Sequence, residues 1–162
     1  DRVDALPPEF LDDFVRKPEY ALGPHVAALG LVFAGEGHRL GGGFGNGAFV
    51  ARHGSWNRKP LSGYDVVFVK FDANGNPQDK PIPVLTGFLT GEGTTHGRPT
   101  WLAWDKGGAL LVSDDTAGII WRGINPQAQP GAKLVLPKYK SLPPQKELKG
   151  DPREAFKEGF KF

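Results

Sequence analysis

Short apolar or alternating runs recur through the middle of the chain, each bounded by Gly, Pro, Asn or Asp. Val26–Phe33 (VAALGLVF), Gly47–Arg52 (GAFVAR), Tyr64–Phe71 (YDVVFVKF) and Ile82–Phe88 (IPVLTGF) make one series. Pro99–Trp104 (PTWLAW), Ala109–Ser113 (ALLVS) and Gly118–Ile124 (GIIWRGI) make a second. Runs of this length and composition predict strands. DANGNP at 72–77 is a strong turn signal, because Asn-Gly tolerates the positive φ that tight hairpins require. DKGG at 105–108 joins the first two strands of the second series. Four strands and then three, each series an up-and-down meander with no helical period between, predict an all-β fold. Tandem units of this kind suggest propeller blades: about one complete four-stranded blade plus most of a second. A sandwich is the competing arrangement, since it too uses short antiparallel strands.

The flanks differ in character. Residues 1–24 are polar and proline-punctuated, which predicts an irregular lead-in from a preceding blade. Residues 25–124 hold the two consecutive blades, and 125–162 form a C-terminal extension. In that extension NPQAQPG and LPPQ are linker-like, KLVLPKY could add a strand, and PREAFKEGF could form a short helix with Pro152 near its first turn. One blade and most of another cannot close a ring. Open, they would expose sheet edges and apolar faces at ~25 cal/mol per Å² of apolar surface left in water. The remaining blades are therefore expected, on another chain or in a part outside this sequence.

Composition narrows the function classes. At 162 residues the chain has room for one ordinary domain, and 39% hydrophobic residues supply core enough to make wholesale disorder unexpected. Lys+Arg 20 against Asp+Glu 18 leaves +2 with no basic stripe, so no nucleic-acid partner is expected. The absence of Cys excludes disulfides, thiolate metal sites and cysteine nucleophiles. The chain lacks Met, so Asp1 is not a translation start and a processed or partial product is expected. No signal peptide is recognisable, and no apolar run approaches the ~20 residues of a membrane span.

Strand polarity says where chemistry could gather. In an antiparallel meander the start of the first strand and the end of the second lie at one end of the sheet. His25 precedes the first strand of the first unit, and His53, Trp56 and Arg58 follow its second. Arg98 precedes the first strand of the next unit, and Asp114 and Asp115 follow its second. These residues should share one rim. Each also has a plainer use: His25 satisfying a turn, Trp56 packing, Arg98 as a surface charge, Asp115 capping the DTAG turn. HGSWNR at 53–58 is the densest stretch, with imidazole, indole, amide and guanidinium in one short loop. GHRLGGGFGNG at 37–47 has the glycines of a phosphate loop but no Lys-Ser/Thr after them; Gly43–Gly47 reads as a bend into a strand, and His38 as an exposed loop residue. No zinc spacing and no nucleophile elbow at Ser55 or Ser62 is present.

Four segments carry a resemblance: YALGPHVAALGL, GAFVARHGSWNRKPLSGYDVVFVKF, PVLTGFLTG and HGRPTWLAWDKGGALLVSDDTAGIIWRG. They resemble the C-terminal blades of the soluble quinoprotein sugar dehydrogenases, the sorbosone/glucose dehydrogenase family. The resemblance runs from Tyr20 to Ile124, and HGSWNR, the GRP strand entry and the LLVSDD turn are its most specific pieces. It implies part of a six-bladed β-propeller with pyrroloquinoline quinone (PQQ) across one end of the axial channel. It implies oxidation of an aldose at its anomeric carbon, or of a sugar aldehyde such as sorbosone, with hydride passing to the quinone.

The residues suit such a guest. PQQ carries three carboxylates and an o-quinone, which call for cationic and neutral donors. Arg58 and Arg98 are natural carboxylate partners, His25 and His53 can donate to quinone or carboxylate oxygens, and Trp56 can wall the flat ring. Asp115 would orient an arginine or a water, and His96 and Asp114 complete the cofactor-binding candidates. The resemblance places the family's general base and most calcium ligands in earlier blades, so no catalytic residue and no metal ligand is assigned here. The chain alone is expected to be inactive. The partners implied are the remaining blades, a sugar, and an electron acceptor such as a cytochrome or quinone, in a periplasmic or secreted setting. The alternatives are a calcium-dependent lactonase-like hydrolase and a carbohydrate-binding or protein-binding propeller.

Overall fold

Among the described residues, seven strands form on the apolar runs. β1 (Ala28–Phe33), β2 (Gly47–Arg52), β3 (Asp65–Lys70) and β4 (Ile82–Leu85) pair in sequence order as a four-stranded antiparallel sheet. β5 (Pro99–Trp104), β6 (Leu110–Asp114) and β7 (Ile119–Gly123) make a three-stranded one. The computed structural model describes residues 18–91 and 93–133. The helix expected in PREAFKEGF, all but the first residue of the strand expected in KLVLPKY, and most of the lead-in lie outside the described residues.

Local chemistry trims the expected strands. β1 starts at Ala28, because His25 and Ala27 take positive φ (59° and 49°) and a register shift lies between Ala28 and Gly30. Gly87, at φ 94°, stands two residues beyond the end of β4. Pro83 sits in β4, an edge strand, where its missing N–H costs no interior ladder bond. DANGNP turns as expected: Asp72 Oδ1 accepts from the N–H groups of Asn74 and Asn76 at 2.8 and 2.9 Å.

The sheets share a core. Phe49, Ala51, Val66 and Phe68 meet Leu110 and Val112, with Leu102 and Trp104 packed against them. β1 approaches β5 closely at Gly30, where an added Cβ would lie 2.3 Å from the Thr100 carbonyl oxygen. On the other face of the first sheet Val50, Val67 and Val69 are partly covered by Tyr20, Leu22 and Phe71. Leu29, Leu31, Phe33, Trp101 and Ile120 stay exposed.

His38 departs from expectation. It is only 2% exposed, with its ring stacked on Trp104 at a centroid distance of 5.4 Å and edge-on to Phe49. The backbone covers it: Gly131 N–H donates to the His38 carbonyl, Gly37 N–H to the Gly131 carbonyl, and Arg39 Nη2 to the Pro126 carbonyl. A glycine-rich stretch looks like open loop in sequence, but the small residues here admit a ring beneath a strap of main chain.

Candidate functional site

The ends of β2 and β6 and the entries of β1 and β5 meet at one end of the sheets. His53 N–H donates to the Ala27 carbonyl and Gly54 N–H to the Val26 carbonyl, each at 2.9 Å, while Pro99 pairs with Asp114. Arg98 spans the two sheets. Its Nε donates to the His53 carbonyl at 3.1 Å and its Nη2 to the Gly54 carbonyl at 2.7 Å, with the guanidinium carbon 5.2 Å from the Tyr64 ring centroid. The shared rim expected from strand polarity is present for these residues.

The two aspartates divide the work. Asp114, 3% exposed, accepts from the N–H groups of Arg98, Thr116 and Ala117 through Oδ1 and from the Trp121 indole through Oδ2. Burial pushes its carboxyl up, but the donors of Ala117, Arg98, Trp121 and Thr116 outweigh it and hold the group below the usual carboxylate range. Asp114, not Asp115, therefore caps the DTAG turn. That frees the exposed Asp115, whose carboxylate receives His53 Nε2 at 3.0 and 3.1 Å. A carboxylate only accepts, so Nε2 carries a proton in this contact.

Loop 54–63 supplies the rest. Ser55 N–H donates to the Ser62 carbonyl and Ser62 N–H to Ser55 Oγ, closing the neck of the loop. Beyond that neck Trp56 stands 84% exposed. Arg58 Nε donates to the Pro60 carbonyl at 3.1 Å, which fixes the loop's far end. Trp56, Asn57, Arg58 and Lys59 form one wall of a cavity of about 860 Å³, and Leu89 and Thr90 help form the other. An exposed indole beside an amide and two cations offers a flat apolar face and anion-binding donors together.

His53, Arg98, Asp114 and Asp115 are thus one cluster, and Trp56 and Arg58 occupy the adjoining cleft on the same loop. His25 is exposed at the β1 entry. His96 is exposed as well, and its N–H is used on the Phe88 carbonyl. Sequence reasoning missed Lys59 and Tyr64, counted Asn57 only as the amide of HGSWNR, and weighed Ser55 and Ser62 only as nucleophiles. Gly54 and Gly63, bracketing the segment, were the available sign of a loop with a tight neck. Among the described residues no group of three or more His, Asp or Glu could hold a metal ion, and no helix is long and apolar enough to cross a membrane.

Comparison with known proteins adds a family. A family model described as TrAA12-like matches residues 11–122. A pyrroloquinoline quinone-dependent pyranose dehydrogenase of Coprinopsis cinerea is 36% identical over 136 residues, covering 70% of this chain and 18% of the relative. An uncharacterized protein of Borreliella burgdorferi is 33% identical over 103 residues, covering 64% of this chain and 27% of the relative. Among solved structures, the holo PQQ domain of the Coprinopsis cinerea pyranose dehydrogenase is 33% identical over 60% of this chain and 26% of its own, with a TM-score of 0.44. A calcium structure of a Trichoderma reesei carbohydrate-active enzyme of family AA12 is 28% identical over 59% of this chain and 24% of its own, with a TM-score of 0.46. The chain spans about a quarter or less of the length of these relatives.

Proposed function

We propose that this chain, which belongs to the TrAA12-like family, is a segment of a PQQ-dependent sugar oxidoreductase and supplies one wall of the cofactor site. The observation that carries the reading is the cleft at 56–59, where an open indole face is flanked by Asn57, Arg58 and Lys59. A planar polycarboxylate wants such a surface: a ring to lie on and cations at its edge. The name of the Coprinopsis cinerea relative supports both the cofactor and a pyranose substrate.

PQQ, when bound, supplies the o-quinone that accepts hydride. The chain's own residues do the holding. Trp56 walls the ring, and Arg58 and Lys59 meet carboxylates. His53 presents a ring whose tautomer and direction Asp115 sets. Arg98 uses Nε–H and one Nη2–H on the 53–54 backbone, so it contributes position and positive charge, with Nη1 and the second Nη2–H as its remaining donors. Asp114 holds the strand entry on which Arg98 stands. His25 and His96 extend the rim.

The finer reading follows the motif resemblance: oxidation of an aldose at its anomeric carbon, or of a sugar aldehyde of the sorbosone kind, by a periplasmic or secreted six-bladed propeller. Residues 25–124 would be two of its blades, 1–24 the lead-in and 125–162 an extension. The exposed Leu29, Leu31 and Phe33 on one sheet and Trp101 and Ile120 on the other support neighbours on both sides. General base and calcium would come from those other blades, and electrons would leave to a cytochrome or quinone.

The test is reconstitution of the complete protein with PQQ and calcium. Dye-linked oxidation of aldoses is expected. Lactone hydrolysis with metal alone, or tight sugar binding without turnover, would overturn the proposal in favour of a hydrolase or a binding propeller.

A further inference from the structure

Tyr64 is not among the predicted site residues, yet it touches the neck of loop 54–63 at Gly54 and Ser55. Its hydroxyl donates to the Ser55 carbonyl. Its ring lies against Gly54 so closely that a Cβ there would come 2.4 Å from Cδ2. The Arg98 guanidinium covers it at 5.2 Å, within cation–π range. Tyr64 N–H donates to the Arg52 carbonyl at 2.8 Å, and the residue is 5% exposed at φ 64°, in the left-handed region that a bulky side chain rarely occupies. Such a conformation persists only where surrounding contacts over-determine it, a pattern that clusters at ligand clamps. A residue wanted only for core packing would not need its hydroxyl on one loop carbonyl and its ring beneath the arginine that holds two others.

We infer that Tyr64 is a positioning residue: with Arg98 it forms a keystone that holds loop 54–63 rigid, so that Trp56 and Arg58 meet a planar anionic guest already in place. The inference rests on the PQQ reading for the identity of the guest. The physical gain is preorganisation. Fixing a loop backbone costs conformational entropy, and a loop ordered beforehand spares the ligand that cost. The keystone also joins the sheets, because Arg98 comes from the β5 entry while Tyr64 and Gly54 belong to the β2–β3 connection.

Three variants of the complete protein test it. Tyr64→Phe keeps the ring and removes the hydroxyl. Arg98→Lys keeps the charge but cannot fork onto two carbonyls. Thr100→Val is the control, since it removes the Thr100–Ser113 hydroxyl contact, which lies outside the loop. Two readouts apply: tryptic cleavage after Arg58 under native conditions, followed by mass, and PQQ affinity by titration. The keystone predicts cleavage about tenfold faster in Tyr64→Phe and in Arg98→Lys, and PQQ binding about fivefold weaker or more, with Thr100→Val matching the wild type in both. Cleavage and affinity unchanged in Tyr64→Phe would overturn it. Equal acceleration in Thr100→Val would overturn it too, by showing general loosening. Faster cleavage with PQQ affinity intact would refute the link to the guest. A wild type that binds no PQQ would sink the functional reading, and the cleavage assay would still decide whether Tyr64 orders the loop.

Discussion

Replacing Asp114 by Asn keeps the shape of the side chain and removes its charge, and the outcome follows from its four donors. Oδ1 accepts from Arg98, Thr116 and Ala117 at 2.9, 3.1 and 2.9 Å, and Oδ2 from the Trp121 indole at 3.1 Å. An amide oxygen turned toward the backbone donors leaves its NH₂ facing the indole N–H, donor against donor. One charge-assisted bond is then lost and three become ordinary ones, about 2–4 kcal/mol in total. Total stabilities run at about 5–15 kcal/mol, so this is a large fraction. Equilibrium urea unfolding of the complete protein should show it as a fall in midpoint with the slope unchanged. The pH dependence supplies a second check. The folded carboxyl titrates below its unfolded value of 3.8, so its contribution is present above that value and is lost as pH falls through the lower folded one. The gap between wild type and Asp114→Asn should therefore hold at pH 7 and shrink progressively below about pH 4. A gap under about 0.5 kcal/mol at pH 7, or one that stays constant into strong acid, would refute the reasoning.

Other outcomes follow from the same structure. Burial holds the His38 imidazole below the usual histidine range against a weaker opposing effect of the Phe44 backbone. Its share of stability is thus complete above the unfolded value of 6.5 and declines as pH falls from there toward the folded value; His38→Phe should flatten the pH 5–7 portion of a melting-temperature profile, and an unchanged slope would contradict the burial argument. Trp56→Ala should leave the unfolding free energy within about 0.5 kcal/mol of wild type, because the indole is 84% exposed, while a larger loss would mean that Trp56 packs against another blade. Arg98→Ala should weaken PQQ binding to the complete protein by about 1.5–3 kcal/mol, read by titration, and unchanged affinity would remove Arg98 from the site.

The strands and the shared rim were legible because they depend on pattern. Alternating runs and turn residues mark β1–β7, and antiparallel polarity alone brings the ends of β2 and β6 to the entries of β1 and β5. What was not legible depends on side-chain direction. SDD does not say which aspartate turns inward; backbone donors on three sides select Asp114 and leave Asp115 for His53. The same limit applies to Tyr64, which begins an apolar run and reads as strand, whereas its positive φ turns it under Arg98. His38 was misjudged because neighbouring glycines resemble a loose loop, and its cover comes from Gly131, far along the chain. Trp56 and Arg58 stand out in sequence by residue type, but Leu89 and Thr90, which line the same cleft, carry no chemical signature there.

The central claim is that the Trp56–Lys59 wall receives a planar polyanion, and a PQQ titration of the complete protein against its Arg58→Ala variant tests it most directly. Saturable binding at one site is predicted, with affinity in the variant reduced about 10- to 150-fold, the equivalent of one charge-assisted contact. Equal dissociation constants for the two proteins, or no binding by either, would contradict the account.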